Sequence, residues 1–496
     1  MRKIIFFENK NSSIRTFVLI AILELLTVFL IGYLSVDQPP IVYISIISAI
    51  VIVTIMVLLL KNINIAVYLI IIFFTLGNIV FIIKIFPSTS NWIIFSLIDI
   101  LNVCAIVCFL LYKSTFKDRK SIDRGKIGLG YLSLLLFALL AFSMLSILWS
   151  PNVIWGLSVG IKLLSNYLMY LLLVVLLKNQ RDIFRAIKTL IFTTVIIAAI
   201  MMVSIFPIDL LNIKKTYFLT KYLSLQFFFV TYQLRASGIM GSHVGATFLS
   251  FGVLFSMGLL SQSKERKDKI LLFMIIILLI LVALFTTARG AIASMLMAVV
   301  FLIFAIKNFR EHLFRNLYIF ALCFIFLFGI FSTTHSYLYD YIKPYLPAAS
   351  LTGEHAFSDR LEYWKISYDA LAKGDAYIQG LGAGGVAAYL FPVTHPHNFY
   401  LAIFFNFGLI GFILFFILIS ISITRLFLTI RSLKEGFTKS MLLSTSGCIV
   451  SLGFASLMDI DYINSIVWLL MGIGVAIYRY AASIPKESLS NTISIN

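Results

Sequence analysis

The side chains best suited to acid–base chemistry stand in a short polar segment directly before a long apolar run. This segment reads His395-Pro396-His397-Asn398, and the apolar run begins at Phe399. An imidazole accepts a proton near neutral pH, so a histidine at this point can act as a general base. Histidines in loops are more often plain surface residues, and that alternative stays open for both His395 and His397. The segment therefore holds a candidate base where a polar loop enters an apolar run.

Three arginines stand in similarly particular settings. Arg235 lies in Arg-Ala-Ser-Gly before an apolar run, Arg289 lies between two apolar runs, and Arg360 precedes Trp364 by one helical turn. The guanidinium group offers a planar fork of donors that matches phosphate oxygens. The alternatives are contact with lipid headgroups for Arg289 and a surface pairing within a helix for Arg360. A phosphate or pyrophosphate group is the ligand that these cations would bind together.

Two further motifs give weaker signals. Asp459-Ile460-Asp461 resembles a divalent-metal pair, but Asp459 and Asp461 lack a third ligand, so we expect no metal site. The glycine-rich segment 380–385 matches the GxGxxG pattern without a strand–turn–helix unit around it, which argues against a dinucleotide site. We predict instead a flexible or closely packed turn that leads toward His397. No cofactor is expected.

The composition predicts a membrane protein. Of the 496 residues, 61% are hydrophobic and only 12% are charged, and the mean hydropathy is +1.03. A helix needs about 20 mainly apolar residues to cross a bilayer, and about fourteen such runs can be read. They cover residues 16–34, 41–60, 65–86, 92–112, 127–149, 154–177, 187–206, 241–261, 270–287, 290–306, 316–333, 399–424, 440–458 and 465–482. We therefore predict an all-α, polytopic transmembrane helical bundle.

The basic residues set the orientation of these runs, because Lys and Arg are retained on the cytoplasmic side of short loops. With the N-terminus inside, the inner segments hold most of the 39 Lys and Arg residues, including the cluster from Lys113 to Lys126. Both termini are then cytoplasmic, and topology accounts for the net charge of +18 without nucleic acid. The candidate base and the three arginines fall on the extracytoplasmic side.

The same topology divides the chain into four regions. Residues 1–206 form the N-terminal spans, and residues 207–333 form the central spans with an external loop at 207–240. Residues 334–398 form a large extracytoplasmic cap loop, and residues 399–496 form the last spans and a tail.

The cap contains one segment with a helical pattern, residues 358–374. Ser358 is the expected N-cap and Gly374 the expected stop. An amphipathic helix here would pack through one stripe of apolar side chains. The predicted stripe consists of Leu361, Trp364, Tyr368 and Leu371.

The order of the motifs resembles that of the O-antigen ligase and polysaccharide polymerase superfamily. The resemblance covers roughly residues 230–425 and is carried by Arg235-Ala-Ser-Gly, Thr-Ala-Arg289-Gly, Arg360-x-x-x-Trp364, Gly380-Leu-Gly-Ala-Gly and His397-Asn398-x-Tyr400-Leu401. The chain departs from the family pattern at Met240-Gly241-Ser242-His243, where many relatives have Asn and Pro. The local role of that segment is therefore open.

The resemblance implies an enzyme of the bacterial cytoplasmic membrane. Such an enzyme takes a glycan from an undecaprenyl-pyrophosphate carrier and places it on an acceptor sugar, outside the membrane and without a metal. It implies His397 as the catalytic base that takes the proton from the acceptor hydroxyl. The implied pyrophosphate-binding residues are Arg235, Arg289 and Arg360, and the implied supporting residues are Trp364, Asn398 and His395.

Several functions stay open beside this one. A polymerase adds another lipid-linked repeat unit, whereas a ligase transfers the glycan to a finished anchor. Richness in Ile, Phe, Lys and Asn suggests an AT-rich genome, and nothing points to an outer membrane, which favours a polymerase. A lipid-linked oligosaccharide flippase and a receptor or scaffold are the alternatives from other classes. The expected partners are the lipid-linked donor, a saccharide acceptor and membrane lipid, with a flippase and a chain-length regulator as further candidates.

Overall fold

Long apolar stretches of the sequence form helices in the computed structural model of this chain. It describes residues 62–74, 80–84, 92–115, 131–203, 242–286, 288–311, 356–390, 396–457 and 464–484, together with Leu59 and single positions between 318 and 333. A chain inside a bilayer must satisfy its backbone groups internally, and helices do so. Six helices of the described ranges are long and apolar enough to cross a membrane. The chain is thus a helical membrane protein, and the fourteen spans stay a prediction.

The described residues form fourteen helices, two short strands and one 3-10 turn. In chain order they are α1 Ile65–Phe74, β1 Val80–Lys84, β2 Trp92–Ser96, α2 Leu97–Thr115, α3 Tyr131–Leu145, α4 Val153–Leu176, α5 Gln180–Val203, α6 Ser242–Gln262, α7 Arg266–Phe285, α8 Arg289–Ala305, α9 Lys307–Arg310, α10 Ala356–Lys373, α11 Gly385–Leu390, α12 Phe399–Ser432, α13 Phe437–Ala455 and α14 Ser465–Ser483. A 3-10 turn at Ser146–Trp149 follows α3.

Helices α4, α6 and α14 lie within a few residues of the predicted runs 154–177, 241–261 and 465–482. The division of the apolar stretch 270–306 is also confirmed, because α7 ends at Phe285 and α8 begins at Arg289. The runs 16–34 and 41–60 lie outside the described residues. For these helices, the apolar pattern of the sequence was enough to predict the helix positions.

The region around residues 80–96 departs from two of the predicted helical runs within an otherwise helical architecture. Strands β1 and β2 pair antiparallel, with Val80 opposite Ser96 and Lys84 opposite Trp92. This hairpin occupies parts of the runs 65–86 and 92–112, which were predicted to be helical. Both strands are rich in β-branched and aromatic residues, and a short apolar run of this kind fits a strand as well as a helix.

Helix α6 lies at the centre of one group of helices and packs against α5, α7, α8 and α13. Its Phe248, Phe251 and Phe255 are fully buried. Without a hydrophobic driving force between helices in lipid, association depends on close packing and on hydrogen bonds across the contact. The hydroxyl of Ser451 in α13 supplies such bonds, at 2.9 Å to Ser250 of α6 and 3.4 Å to Ser294 of α8.

These polar contacts also give the helix directions. Ser250 pairs with Ser451 and Ser261 pairs with Ser440, so α6 and α13 run antiparallel. Ala246 of α6 is buried in one cluster with Ala288 and Ala291 at the start of α8. Helices α6 and α8 therefore run parallel and begin at the same end of the bundle, the end at which α13 finishes. We call this the site end.

The described part of the cap packs as a small unit on α12. Helix α10 begins at Ala356, so Ser358 lies inside its first turn and the predicted N-cap is wrong. Its end before Gly374 is confirmed. Leu371 is fully buried, but Leu361 is 48% exposed and Tyr368 is 53% exposed.

The packed face of α10 therefore differs from the predicted stripe. Ala370 and Leu371 are buried in one cluster with Leu381, Val386 and Phe405, so the helix turns this side toward α11 and α12. The stripe prediction was wrong for Leu361 and Tyr368 because tertiary contacts with these helices, rather than the apolar pattern, select the buried side.

Candidate functional site

The backbone at the candidate base is fixed by a bond from α10. The indole Nε1 of Trp364 donates a hydrogen bond of 2.8 Å to the carbonyl oxygen of Pro396. His397 follows with φ = 52°, in the left-handed region that non-glycine residues rarely adopt. This conformation costs about 1–2 kcal/mol. Such outliers concentrate at active sites, which makes His397 a functional candidate on structural grounds as well.

Asn398 holds the other side of this turn. Its Oδ1 accepts from the backbone N–H of Leu401 at 3.1 Å, so it is the N-cap of α12. Its Nδ2 donates to the carbonyl of Leu457 at 3.2 Å, beyond the end of α13. The N–H of Phe399 donates to the carbonyl of Ser456 at 2.9 Å. The turn that carries His397 is therefore clamped between α10, α12 and α13.

Tyr363 packs beside the imidazole. The ring centroids of Tyr363 and His397 are 6.0 Å apart and the rings are tilted by 34°. Tyr363 and His397 are both partly exposed, so the pair lines a surface that a substrate can reach. Sequence reasoning missed Tyr363, although its place directly before Trp364 and one turn after Arg360 was a usable signal.

Arg360 lies one helical turn before Trp364 on α10, and its side chain is partly exposed. Residues four apart on a helix stand on the same face, about 6 Å along the axis. Arg360 is thus brought to within one turn of the residues that contact the His397 turn. Trp364 contacts the residue before His397, and Arg360 stands one turn earlier on the same helix.

Arg289 is the first residue of α8, and its side chain is exposed. Ser294 of the same helix contacts Ser451 of α13. Arg289 lies five residues before Ser294, and Ser456 lies five residues after Ser451, so each is about 8 Å along its helix from this contact. Because α8 and α13 run antiparallel, both displacements point in the same direction. Ser456 holds Phe399, so Arg289 and the His397 turn lie at the site end together.

The glycine-rich segment contacts a break in α12. Gly408 has φ = 61° and ψ = −161°, which interrupts the helix. The carbonyls of Phe405 and Asn406 accept from the N–H groups of Leu381 at 2.9 Å and Gly382 at 2.8 Å. A Cβ atom at either Gly380 or Gly408 would overlap the backbone of the opposite segment. The turn is closely packed, so that part of the prediction is confirmed.

Backbone N–H groups just after this break in α12 also donate hydrogen bonds to carbonyl oxygens of the cap. Leu409 donates to the carbonyl of Tyr377 at 2.9 Å, and Ile410 donates to the carbonyl of Ile378 at 3.2 Å. Backbone groups freed by a broken helix at membrane depth must find protein partners, and here the cap supplies them. The position of α12, and with it the His397 turn, is therefore tied to the position of α10.

A second connection leads from the glycine-rich segment to the junction of α3 and α4. The N–H of Ala383 donates to Ser146 Oγ at 3.0 Å, and Ser150 Oγ donates to the carbonyl of Ala383 at 2.9 Å. Both serines are buried. The segment thus joins the N-terminal helices to the site.

Several predicted site residues lie outside the described residues. They are Arg235, His395, Asp459 and Asp461, as well as the external loop 207–240. His243, in the segment that departs from the family pattern, is partly exposed in the first turn of α6 at the site end. Among the residues that the structure describes, no group of three His, Cys, Asp or Glu side chains could hold a metal ion.

Comparison with known proteins adds one match. Residues 273–416 match the family model described as O-antigen ligase. This segment contains Arg289, Arg360, Trp364 and His397, and it ends inside α12. No curated protein matches the chain.

Proposed function

We propose that this chain, whose residues 273–416 match the family model described as O-antigen ligase, polymerises lipid-linked oligosaccharide repeat units. The donor is an undecaprenyl-pyrophosphate-linked saccharide, and the acceptor is a second lipid-linked unit. The family match supports glycan ligation or polymerisation in general terms. The choice of polymerisation rests on the sequence, whose composition points to an AT-rich genome and gives no sign of an outer membrane.

One observation carries the proposal: a histidine in a strained, clamped turn lies at the same end of the bundle as two arginines. The fold fixes His397 through Trp364 and Asn398, at the end where α8 begins with Arg289. Preorganised groups of this kind lower a barrier because no reorganisation is needed during the reaction. A backbone outlier of this kind at a histidine is typical of active sites and ligand clamps, which favours an enzyme over a scaffold.

In the proposed reaction, His397 takes the proton of an acceptor hydroxyl as the oxygen attacks the anomeric carbon of the donor. A new C–O bond forms, the bond from the anomeric carbon to the pyrophosphate oxygen breaks, and the lipid pyrophosphate leaves with the electron pair. Arg289 and Arg360 bind the departing phosphates, with Arg235 as a third cation. The proton is released from His397 to solvent, which returns the base to its neutral form.

The distribution of charge supports an extracytoplasmic reaction. The end of the bundle opposite the site end carries Arg266 at the start of α7, Arg310 in α9, and Lys439 in the first turn of α13. Gln262 at the end of α6 contacts Ser440 at 2.7 Å, which places the α6 terminus and the α13 start together. Basic residues mark the cytoplasmic side. On this argument His397 faces outward, as the topology expected from the sequence requires.

Reconstitution tests the proposal. Purified protein in liposomes would be given the lipid-linked saccharides extracted from cells that lack it, and products would be resolved by length. A ladder of lengths is expected, with no change on addition of a chelator. A single transfer to a non-lipid-linked anchor would instead indicate a ligase.

The matched variant is His397→Gly, because glycine adopts the observed backbone conformation without strain and only the imidazole is lost. We expect the ladder to disappear while the protein remains folded. A ladder of unchanged length and yield with His397→Gly would refute the enzymatic role of this residue.

A further inference from the structure

Two aromatic residues follow Arg360 at intervals of one turn along α10. Arg360, Trp364 and Tyr368 lie on successive turns of α10, each about 6 Å along the axis from the one before. The turn of His397 is contacted at the level of Trp364. Tyr368 therefore lies on the side of His397 opposite Arg360, and 53% of it is exposed.

Tyr377 joins Tyr368 at this position. After α10 ends, Asp375 adopts φ = 46° and the N–H of Ala376 donates to the carbonyl of Leu371 at 3.0 Å, which turns the chain back toward the helix. The ring centroids of Tyr368 and Tyr377 are then 6.0 Å apart, tilted by 59°. The carbonyl of Tyr377 is held by Leu409 of the broken α12. The pair is thus rigidly connected to the helix that positions His397.

Tyr368 also affects the ionisation of Tyr377. A side-chain hydrogen bond with Tyr368 raises the pKa of Tyr377 above its ordinary value, since the bond favours the neutral, proton-donating phenol. The charged groups that act on Tyr377 are the carboxylates Asp375 and Asp369. The surface around the pair therefore combines aromatic faces, hydroxyls and acceptor oxygens.

We propose that Tyr368 and Tyr377 form a binding platform for the acceptor saccharide, with Asp369 and Asp375 accepting hydrogen bonds from its hydroxyls. This inference rests on the proposed function, because it takes His397 as the base. Aromatic rings offer large, rigid contact area with an electron-rich face, against which the C–H edges of a pyranose ring pack. A donor and an acceptor would then meet at His397 from opposite ends of α10.

Charge distinguishes the sugar end of the acceptor from the pyrophosphate of the donor at this position. A pyrophosphate would be repelled by Asp369 and Asp375, whereas a saccharide end bears hydroxyls that donate to carboxylates. Arg360, on the far side of His397, has the opposite preference. The row on α10 thus runs from a site for anions to a site for neutral sugars.

The competing explanation is that these tyrosines anchor the cap at the membrane surface, where amphipathic aromatic rings collect. The probe that separates the two is the saccharide freed from its lipid pyrophosphate by mild acid. Its binding to the detergent-solubilised full chain would be measured by calorimetric titration for the wild type and for Tyr368→Ala, Tyr377→Ala and Tyr389→Ala. Tyr389 is a matched control, since it is 46% exposed on the neighbouring α11.

We expect Tyr368→Ala and Tyr377→Ala each to weaken binding of this saccharide about three- to tenfold, the range of one aromatic contact. Tyr389→Ala should bind it as the wild type does. Equal affinity of Tyr368→Ala and wild type, or no binding by the wild type, would overturn the platform and favour surface anchoring.

A parallel measurement of chain growth keeps the two proposals apart. Loss of growth in His397→Gly together with unchanged saccharide binding by Tyr368→Ala rejects the platform alone. Absence of growth by the wild type rejects the proposed function, and persistent growth in His397→Gly rejects His397 as its base, even where the tyrosine variants bind the saccharide more weakly.

Discussion

The indole of Trp364 holds the carbonyl of Pro396 at 2.8 Å, one residue before His397. This bond joins a helix of the cap to the turn at the start of α12, and it acts on the backbone rather than on the imidazole itself. Trp364 is therefore a positioning residue. Its proposed contribution is to orient His397, the proposed base, whose backbone lies in the left-handed region.

Trp364→Phe removes the donor and retains an aromatic ring. A hydrogen bond of this kind is worth about 1 kcal/mol, which corresponds to roughly a fivefold change in rate if it acts on the transition state. We expect kcat for chain growth to fall about five- to tenfold with donor KM nearly constant. Trp149→Phe, at the end of the 3-10 turn after α3, is the matched control. Equal kcat for both variants would contradict a positioning role.

Much of the fold follows from the sequence, since long apolar runs leave few alternatives to a helix in a bilayer. The ends of α4, α6, α7, α8 and α14 are near their predicted places for that reason. The order of the motifs also pointed to Arg289, Arg360 and His397 as site residues, and the structure places all three at the site end of the bundle. Their roles stay proposals, as does the role of Arg235.

Other features could not be predicted because they depend on contacts between distant segments. The break at Gly408 is stabilised by backbone hydrogen bonds between residues 377–382 and the residues around Gly408. The apolar pattern of α12 alone does not predict it. The buried side of α10 is chosen by Leu381, Val386 and Phe405. The hairpin of β1 and β2 arises from runs whose composition fits either helix or strand.

The strain at His397 predicts an order of stabilities. Glycine adopts the left-handed conformation at this position without strain, whereas alanine does not. His397→Gly should therefore be more stable than His397→Ala by about 1 kcal/mol. Thermal unfolding in one detergent measures the difference. At His243, inside the first turn of α6, the order should reverse, since glycine is the poorer helix former. The same order at both positions would argue against strain at His397.

The contact between the glycine-rich segment and α12 predicts a severe defect for Gly408→Ala. The new Cβ would overlap the carbonyl of Ile378 and the N–H of Gly380, in a backbone conformation unfavourable for alanine. We expect a loss of about 3 kcal/mol or more, seen as a lower yield of monodisperse protein and a lower Tm. Gly329→Ala, where a Cβ meets nothing within 4 Å, should be neutral or slightly stabilising. A normal yield for Gly408→Ala would show that α12 tolerates a different break.

The two described arginines of the site predict a graded response to substitution. If Arg289 and Arg360 bind the donor pyrophosphate through paired N–H donors, lysine preserves the charge but loses the planar fork. Arg→Ala at either position should lower kcat/KM for the lipid-linked donor about 10- to 100-fold, and Arg→Lys should fall between alanine and wild type.

Arg310→Ala, in α9 at the opposite end of the bundle, should leave kcat/KM within about twofold, because an exposed charge far from the substrate contributes little. A pure charge effect would instead make lysine equal to arginine at both sites. Equal losses for Arg310→Ala and Arg289→Ala would mean that the arginines act through insertion of the protein in the membrane and not through the donor phosphates.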